Sequence, residues 1–385
     1  MTNRYRVLQL QPDYNIKRHD FADLAEQIVK ALPKDRYEVT QAFLQGRPGS
    51  DEPVSRAEHS LYFEFSERSL KGLRLGVMWR LYRFCKSQGF DVVICNRFKP
   101  VNMMLQLNRW LKVPVCIGIV HGFGEYDRSY RRRQAKRSID EAWRFVGVSP
   151  AVRQYLLDLD CGFTARNTVA ITNAIDIEQA IGLQLPRDQA RQDLGLPLDR
   201  RVVGALGRLV PVKGHAYLLK AFARLQDHYP DVDLAIIGAG REQANLERLI
   251  VELGLVGRAH LLGFRADALR YVRAFDIWSM PSLAEGLGLA LLEGMSGALP
   301  VIASDVPAMR PLIEGAGGVA VEPGNVEAWT SALKHYLQLD TQTLASKGQQ
   351  AFAYLREHHD VAPFRQAYAS LIEEALAEKQ VPSHG

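Results

Sequence analysis

Glu285 and Glu293 stand eight positions apart on either side of Gly286-Leu287-Gly288. The run Phe275-Asp276-Ile277-Trp278-Ser279-Met280-Pro281 precedes them, and Leu287, Leu289, Leu291, Leu292 and Met295 follow at spacings that suit a buried helix face. The pattern predicts a strand, a turn and a helix. Gly286 and Gly288 would let a ligand approach the backbone closely, with the N–H groups of the helix start directed at it. On this reading Glu293 lies about two turns into the helix, on the order of 12 Å beyond Glu285. One carboxylate at the entrance, bare amides in the middle and a second carboxylate deeper down suit a long polar ligand. A nucleotide sugar has that shape, with its sugar at one end, its diphosphate in the middle and its ribose at the other.

A second set of chemically useful residues follows the strand-like run Val202–Leu206: Gly207-Arg208-Leu209-Val210-Pro211-Val212-Lys213-Gly214-His215. Glycine ends the strand, and two cations sit in the loop that opens the next helix. Parallel α/β sheets bind ligands at the carboxyl ends of their strands, and Arg208 and Lys213 there would neutralise a diphosphate. In the first half of the chain, His121 ends an apolar run, Val113–Val120, and is followed by Gly122-Phe123-Gly124. Arg128, Arg131, Arg132, Arg133, Lys136 and Arg137 come soon after with no acid among them. Aromatic interleaving is confined to Tyr126 and Tyr130, so an anionic acceptor or an anionic membrane surface fits that run better than nucleic acid.

Other motifs weigh less. Gly238-Ala239-Gly240 resembles the start of a dinucleotide fingerprint, but Gln243 replaces the third glycine and no acid ends the next strand. Asp158-Leu159-Asp160 and Asp231-Val232-Asp233 match the Asp-x-Asp of metal-dependent transferases, yet both read as solvated turn residues. His358-His359-Asp360 reads as surface, because adjacent histidines on a helix point apart. No metal and no bound cofactor are expected.

These residues need a frame to hold them. At 385 residues the chain exceeds a single core, so two domains are expected. Short apolar runs alternate with helical patterns, which indicates α/β units around parallel sheets. Strands are predicted at 6–9, 37–43, 92–95, 115–120, 145–148 and 169–171, then at 202–206, 234–237, 259–262, 277–280, 301–303 and 318–321. Helices are predicted at 20–32, 70–87, 215–229, 242–253, 326–339 and 361–379, among others. Strand signals lapse between Ile177 and Arg201, where Pro186, Gly195 and Pro197 punctuate the chain, so the join is expected there. The domains are taken as 1–176 and 177–360, with the last helix, 361–380, joining the first. No apolar run approaches a membrane span, and Met1-Thr2-Asn3-Arg4-Tyr5-Arg6 does not look like a signal peptide. Cys85, Cys95, Cys116 and Cys161 lack Cys-x-x-Cys spacing and are expected as buried thiols in a reducing, cytoplasmic compartment.

Gly207-Arg208…Lys213-Gly214 together with the Glu285/Glu293 pair resembles the C-terminal half of retaining glycosyltransferases of the GT-B type (glycosyl transferases group 1, E-x7-E). The resemblance continues through Gly238-Ala239-Gly240, Leu262-Gly263-Phe264, Pro281-Ser282, Pro300-Val301-Ile302-Ala303-Ser304 and Glu322-Pro323-Gly324. It is looser over 1–168, at Val120-His121-Gly122 and Gly147-Val148-Ser149. It implies two Rossmann-like domains facing across a cleft, and a metal-independent enzyme that moves a sugar from a nucleotide-diphosphate sugar to an acceptor. In that family pattern Arg208 and Lys213 hold the diphosphate and Glu293 accepts from the ribose hydroxyls. Glu285 lies by the donor sugar, and the amides around Gly207, Gly286, Leu287 and Gly288 touch the donor. Phe264 and Arg265 lie near the base, and His121 faces the donor sugar across the cleft. The acceptor implied is a glycan or anionic glycolipid, as in lipopolysaccharide-core or related surface-glycan assembly, with Arg128, Arg131, Arg132 and Arg133 on its side. Contact with the anionic cytoplasmic membrane surface fits the same charges. A nucleotide-sugar 2-epimerase and a non-catalytic nucleotide-sugar binding subunit are the alternatives. Three positions depart from the family: Gln11-Pro12-Asp13-Tyr14-Asn15 has no glycine pair, Asn173-Ala174 replaces Asn-Gly, and Gly286-Leu287-Gly288 replaces Gly-Phe-Gly.

Overall fold

The computed structural model describes residues 4–380. Met1-Thr2-Asn3, part of the stretch read against a signal peptide, lies outside them. The chain divides into two compact units: Met1–Asn173 with Val361–Gly385, and Ala174–Asp360.

The first unit contains β1 (Tyr5–Asp13), α1 (Leu24–Ala31), β2 (Tyr37–Gln45), β3 (His59–Tyr62), α2 (Leu75–Gln88), β4 (Val92–Asn96), α3 (Phe98–Leu111), β5 (Val115–Val120), α4 (Ser129–Ser138), β6 (Trp143–Gly147), α5 (Pro150–Asp158) and β7 (Thr168–Ala170). The second contains α6 (Ile177–Leu183), α7 (Arg187–Leu194), β8 (Arg201–Leu206), α8 (His215–Ala223), β9 (Val232–Ile237), α9 (Gln243–Glu252), β10 (Ala259–Leu261), β11 (Ile277–Met280), α10 (Leu289–Ser296), β12 (Val301–Ser304), α11 (Arg310–Gly315), β13 (Val319–Val321), α12 (Val326–Leu337) and α13 (Thr341–His358). The last helix, α14 (Val361–Gln380), returns to the first unit, where it packs on α1 and β5.

Both sheets are parallel, in the orders β3-β2-β1-β4-β5-β6-β7 and β10-β9-β8-β11-β12-β13. Each order reverses once, between β1 and β4 and between β8 and β11. Loops leaving the two strands at such a reversal part to opposite sides and open a crevice at the carboxyl edge. In the second unit those loops are the ones that carry Arg208 and Glu285. Helices cover both faces, so central strands such as β4, β5 and β9 are buried along their whole length. In the second unit Leu218, Phe222, Trp329 and Leu333 close over β8 and β9 in one apolar core.

The first sheet has one strand more than the sequence pattern shows. β3, His59-Ser60-Leu61-Tyr62, is an edge strand with no buried residue, so it lacks an apolar run. The contacts divide at Asn173/Ala174, ahead of the expected join. The segment 177–201, expected as a break, is mostly the helices α6 and α7, which pack beside the second unit's own elements. All four cysteines are free and buried. Burial pushes the Cys85 thiol up to about 12 and holds Cys95 and Cys116 well above the ordinary range, so none offers a thiolate at neutral pH. No helix among the described residues is long and apolar enough to cross a membrane.

Candidate active site

The loop after β8 turns on a one-turn 3-10 segment, Pro211–Lys213, and enters α8 through Gly214 at φ +69°. A side chain at Gly214 would put its Cβ 1.9 Å from the carbonyl oxygen of Pro281, the residue that follows β11. The backbone N–H of Leu283 donates to the Val212 carbonyl at 2.7 Å. The backbones of the two loops at the β8/β11 reversal are therefore stitched directly together. Gly238 and Gly240 brace the same loop from the other side. A Cβ on Gly238 would meet the Gly207 carbonyl oxygen at 1.9 Å, and one on Gly240 the Leu209 carbonyl oxygen at 2.3 Å. Gly238-Ala239-Gly240 thus supports the Arg208 loop by close approach and carries no dinucleotide fingerprint.

Within this frame Lys213 Nζ lies 2.5 Å from Glu285 Oε1, although the two are 72 residues apart. Their side chains are only 19% and 14% exposed, so the pair is partly shielded and worth more than a surface ion pair. Arg208 is exposed and forms no ion pair among the described residues. One held cation and one free cation thus share the loop beside a carboxylate at the crevice. That arrangement suits an anion that bridges Arg208 and Lys213.

Glu293 is placed differently from the sequence expectation. Gly288 adopts φ +95°, which keeps Gly286-Leu287-Gly288 out of the helix, and α10 begins at Leu289. Glu293 is its fifth residue, little more than one turn in, and is 8% exposed. A Cβ on Gly288 would meet Met309 Sδ at 2.8 Å and Met280 Cε at 3.2 Å, so methionines support the turn from below. Phe264 and Arg265 are exposed in the loop beyond β10, two strands across from β8. Glu322-Pro323-Gly324 comes to the same edge, with Gly324 against the Tyr217 ring and Leu283.

His215 lies at the candidate site, and sequence reasoning assigned it no role. It opens α8, is 4% exposed, and neither ring nitrogen has a hydrogen-bond partner among the described residues. Burial first, and the Lys213 charge second, lower its pKa to about 4, with the Arg208 backbone opposing. It is neutral at physiological pH and sits beneath Gly207, whose Cβ position is 3.7 Å from His215 Nε2. Its signal in the sequence was its place directly after a glycine and two cations.

In the first unit His121 follows β5, half-buried, with Nε2 3.4 Å from Asn96 Oδ1 at the end of β4. Burial and the Arg97 charge lower its pKa to about 4. Glu125, also unassigned by sequence, has its carboxyl raised to about 7 by burial, against the Arg97 and Arg131 charges, and one oxygen unpartnered among the described residues. Arg128, Arg132 and Arg133 are exposed around the start of α4. Arg131 is not a free member of that group. It donates to the Glu125 carbonyl at 2.7 Å and stacks 4.0 Å over the Phe98 ring, so it braces the loop.

Two further expectations change. Asp233 is not a solvated turn residue: it is 1% exposed in β9, held by Arg200 at 2.8 Å, His260 at 2.9 Å and Arg258 at 3.3 Å. His359 is buried, while His358 is exposed. Among the described residues no group of three His, Cys, Asp or Glu stands where it would hold a metal.

Residues 24–179 match the family described as Glycosyltransferase Family 4, and residues 186–352 match Glycosyl transferases group 1. The chain belongs to the GT-B glycosyltransferases. It is 32% identical over 255 residues to a D-inositol 3-phosphate glycosyltransferase of Corynebacterium urealyticum, covering 62% of this chain and 59% of that protein. It is 33% identical over 145 residues to the lipopolysaccharide core biosynthesis glycosyltransferase LpsE of Rhizobium meliloti, covering 37% and 42%. The chain thus spans less than two thirds of the length of these relatives. Among solved structures it shares the GT-B fold with Anabaena HepE in complex with UDP, at TM-score 0.76 and 21% identity over 96% of this chain and 100% of that one.

Proposed function

We propose that this GT-B protein transfers a sugar from a nucleotide-diphosphate sugar to a glycan or anionic glycolipid, with retention of configuration and without a metal. The carrying observation is the Lys213–Glu285 pair beside free Arg208 at the β8/β11 reversal. A departing diphosphate gains negative charge as its bond to the anomeric carbon breaks. Cations already fixed where that charge develops lower the barrier without reorganising. Arg208 would supply one such cation and Lys213 the other, once the phosphate of the bound donor has drawn it from Glu285 ahead of the chemical step. Glu285 is then released toward the sugar, where it positions hydroxyls. The acceptor hydroxyl attacks from the face the diphosphate leaves, and its proton passes to a phosphate oxygen. UDP bound to HepE supports a nucleotide-sugar donor, the names of the relatives support glycosyl transfer, and LpsE supports a surface-glycan acceptor. The protein would act on the cytoplasmic side, with the exposed arginines of α4 toward the acceptor.

The test is a panel of labelled nucleotide sugars without acceptor. Slow hydrolysis supports a transferase, epimer formation an epimerase, and binding without turnover a binding subunit. Activity should survive excess EDTA, because Arg208 and Lys213 would supply the positive charge that a divalent ion otherwise brings to a diphosphate. Complete loss restored by Mg²⁺ or Mn²⁺ would overturn that part.

Glu293→Gln should weaken recognition of the donor ribose, since a charged acceptor of two hydroxyl hydrogen bonds is replaced by a neutral one. The parent should lose on the order of tenfold in affinity for the 2′-deoxy nucleotide, and the variant much less. Equal losses would show that Glu293 does not read the ribose.

A further inference from the structure

In the first unit α2 packs on α3 and α3 on α4, forming a continuous helical layer. α2 carries Arg80, Arg83 and Lys86, α3 carries Lys99 and Arg109, α4 carries five cations, and none of the three helices carries an Asp or Glu. The whole chain is only +5, so the remainder is net negative and the cations are gathered on this layer. Among the described residues none of them forms an ion pair with a carboxylate. Self-repulsion of this kind is a cost that an anionic partner relieves.

The layer also exposes apolar side chains where a soluble surface would hide them. Val77, Leu81 and Cys85 bury one side of α2, while Leu75, Trp79, Arg83 and Lys86 follow helical spacing on the opposite side. Leu73 is 84% exposed, Leu75 73% and Trp79 58%. Arg83 lies 4.8 Å over the Trp79 ring, and Arg109 lies 3.7 Å over the ring of Trp110, itself exposed. Between α3 and α4 a cavity of about 500 Å³ is lined by Arg109, Arg133 and Arg137 with Gln106, Tyr130 and one carboxylate, Asp140, so the charge of its lining is net positive.

We propose that the α2–α4 face docks on a bilayer containing anionic phospholipid. Leu73, Leu75 and Trp79 enter the headgroup–acyl boundary, the cations meet the surface charge, and the arginine-lined cavity seats a lipid phosphate. Tryptophan with an adjacent cation and exposed leucines is the composition that lies at a membrane interface. Nucleic acid would satisfy the cations but would leave the leucines in water. The proposal stands independently of the donor-site reading, since it uses none of Arg208, Lys213, Glu285 or Glu293; only the α4 arginines are shared with the acceptor side.

The test is cosedimentation of the full chain with phosphatidylcholine vesicles with and without phosphatidylglycerol. Each cation near an anionic surface strengthens binding by roughly fivefold, so partition should favour the anionic vesicles by about tenfold or more and weaken with salt. The combined Leu73→Ser, Leu75→Ser, Trp79→Ser variant should lose about tenfold or more of that partition, with circular dichroism and acceptor-free donor hydrolysis unchanged. The combined Arg109→Ser, Arg133→Ser, Arg137→Ser variant should flatten the salt dependence. Brominated lipid should quench tryptophan emission of the parent and much less that of Trp79→Phe. Equal partition to neutral vesicles, parental binding by the apolar variant, or binding to duplex DNA in place of vesicles would each overturn the proposal.

Discussion

Arg208→Ala should lower the kcat of sugar transfer by on the order of 10²-fold, and Lys213→Ala by at least as much. The charge lost acts on the leaving diphosphate, so kcat and kcat/KM should fall together while donor KM changes little. The two variants should differ in stability. Arg208 is exposed and unpaired among the described residues, so its removal should leave the melting temperature unchanged. Lys213 neutralises Glu285, whose side chain is 14% exposed, and its removal leaves a half-buried carboxylate without a cation. That should cost on the order of 1 kcal/mol or more. The double variant Lys213→Ala, Glu285→Ala should recover the stability and none of the turnover. Steady-state kinetics with a labelled donor, together with thermal melts, separate the two effects. Near-parental kcat in both single variants would show that the loop after β8 does not hold the diphosphate.

Fold and site were legible to different depths. β5 is a run of six buried residues, and runs of that kind were readable because both faces of a central parallel strand are covered. β3 was not, because an edge strand with exposed residues carries no apolar signal. The positions of Arg208, Lys213, Glu285 and Glu293 along the chain were readable through the family pattern. Their distances were not. The Lys213–Glu285 contact depends on β8 and β11 being neighbours, which is a property of strand order. That Glu293 lies little more than one turn into its helix depends on one left-handed glycine, Gly288, delaying the helix. Gly238-Ala239-Gly240 shows the limit of motif reading. Its glycines answer to the carbonyls of Gly207 and Leu209 from another loop, and spacing alone cannot tell a close approach to protein from one to phosphate. Asp233 and His359 were read as solvated because single polar residues are, and only tertiary partners show otherwise.

Acid should destabilise the protein through His215, and His215→Leu should remove that sensitivity. The folded pKa is about 4, against an ordinary value of 6.5. Between those values the unfolded chain binds a proton that the folded chain refuses, so stability falls as pH drops from about 6.5 to about 4. Above 6.5 both states are neutral and the contribution is fully present; below 4 both are protonated and no further loss follows. A shift of this size corresponds to at most about 3 kcal/mol, a population change on the order of 10²-fold. His121 acts in the same direction, with a folded pKa of about 4. Glu125, raised to about 7, and Asp23, raised to about 6, act in the opposite one, because the folded chain keeps their protons longer. The parent profile alone therefore mixes signs, and the measurement is the difference between parent and variant. Urea melts of both at pH 7, 5.5 and 4 should show the variant losing less stability on acidification, by about 2–3 kcal/mol. Leucine suits the site because neither ring nitrogen of His215 makes a well-formed hydrogen bond among the described residues, only a weak approach to the Arg208 backbone, so little is given up at neutral pH. Lys213→Ala should shrink the same difference, since the Lys213 charge helps to keep the imidazole neutral. Parallel profiles for parent and His215→Leu would mean that the imidazole takes up its proton in the folded protein, and that water reaches the base of the Arg208 loop.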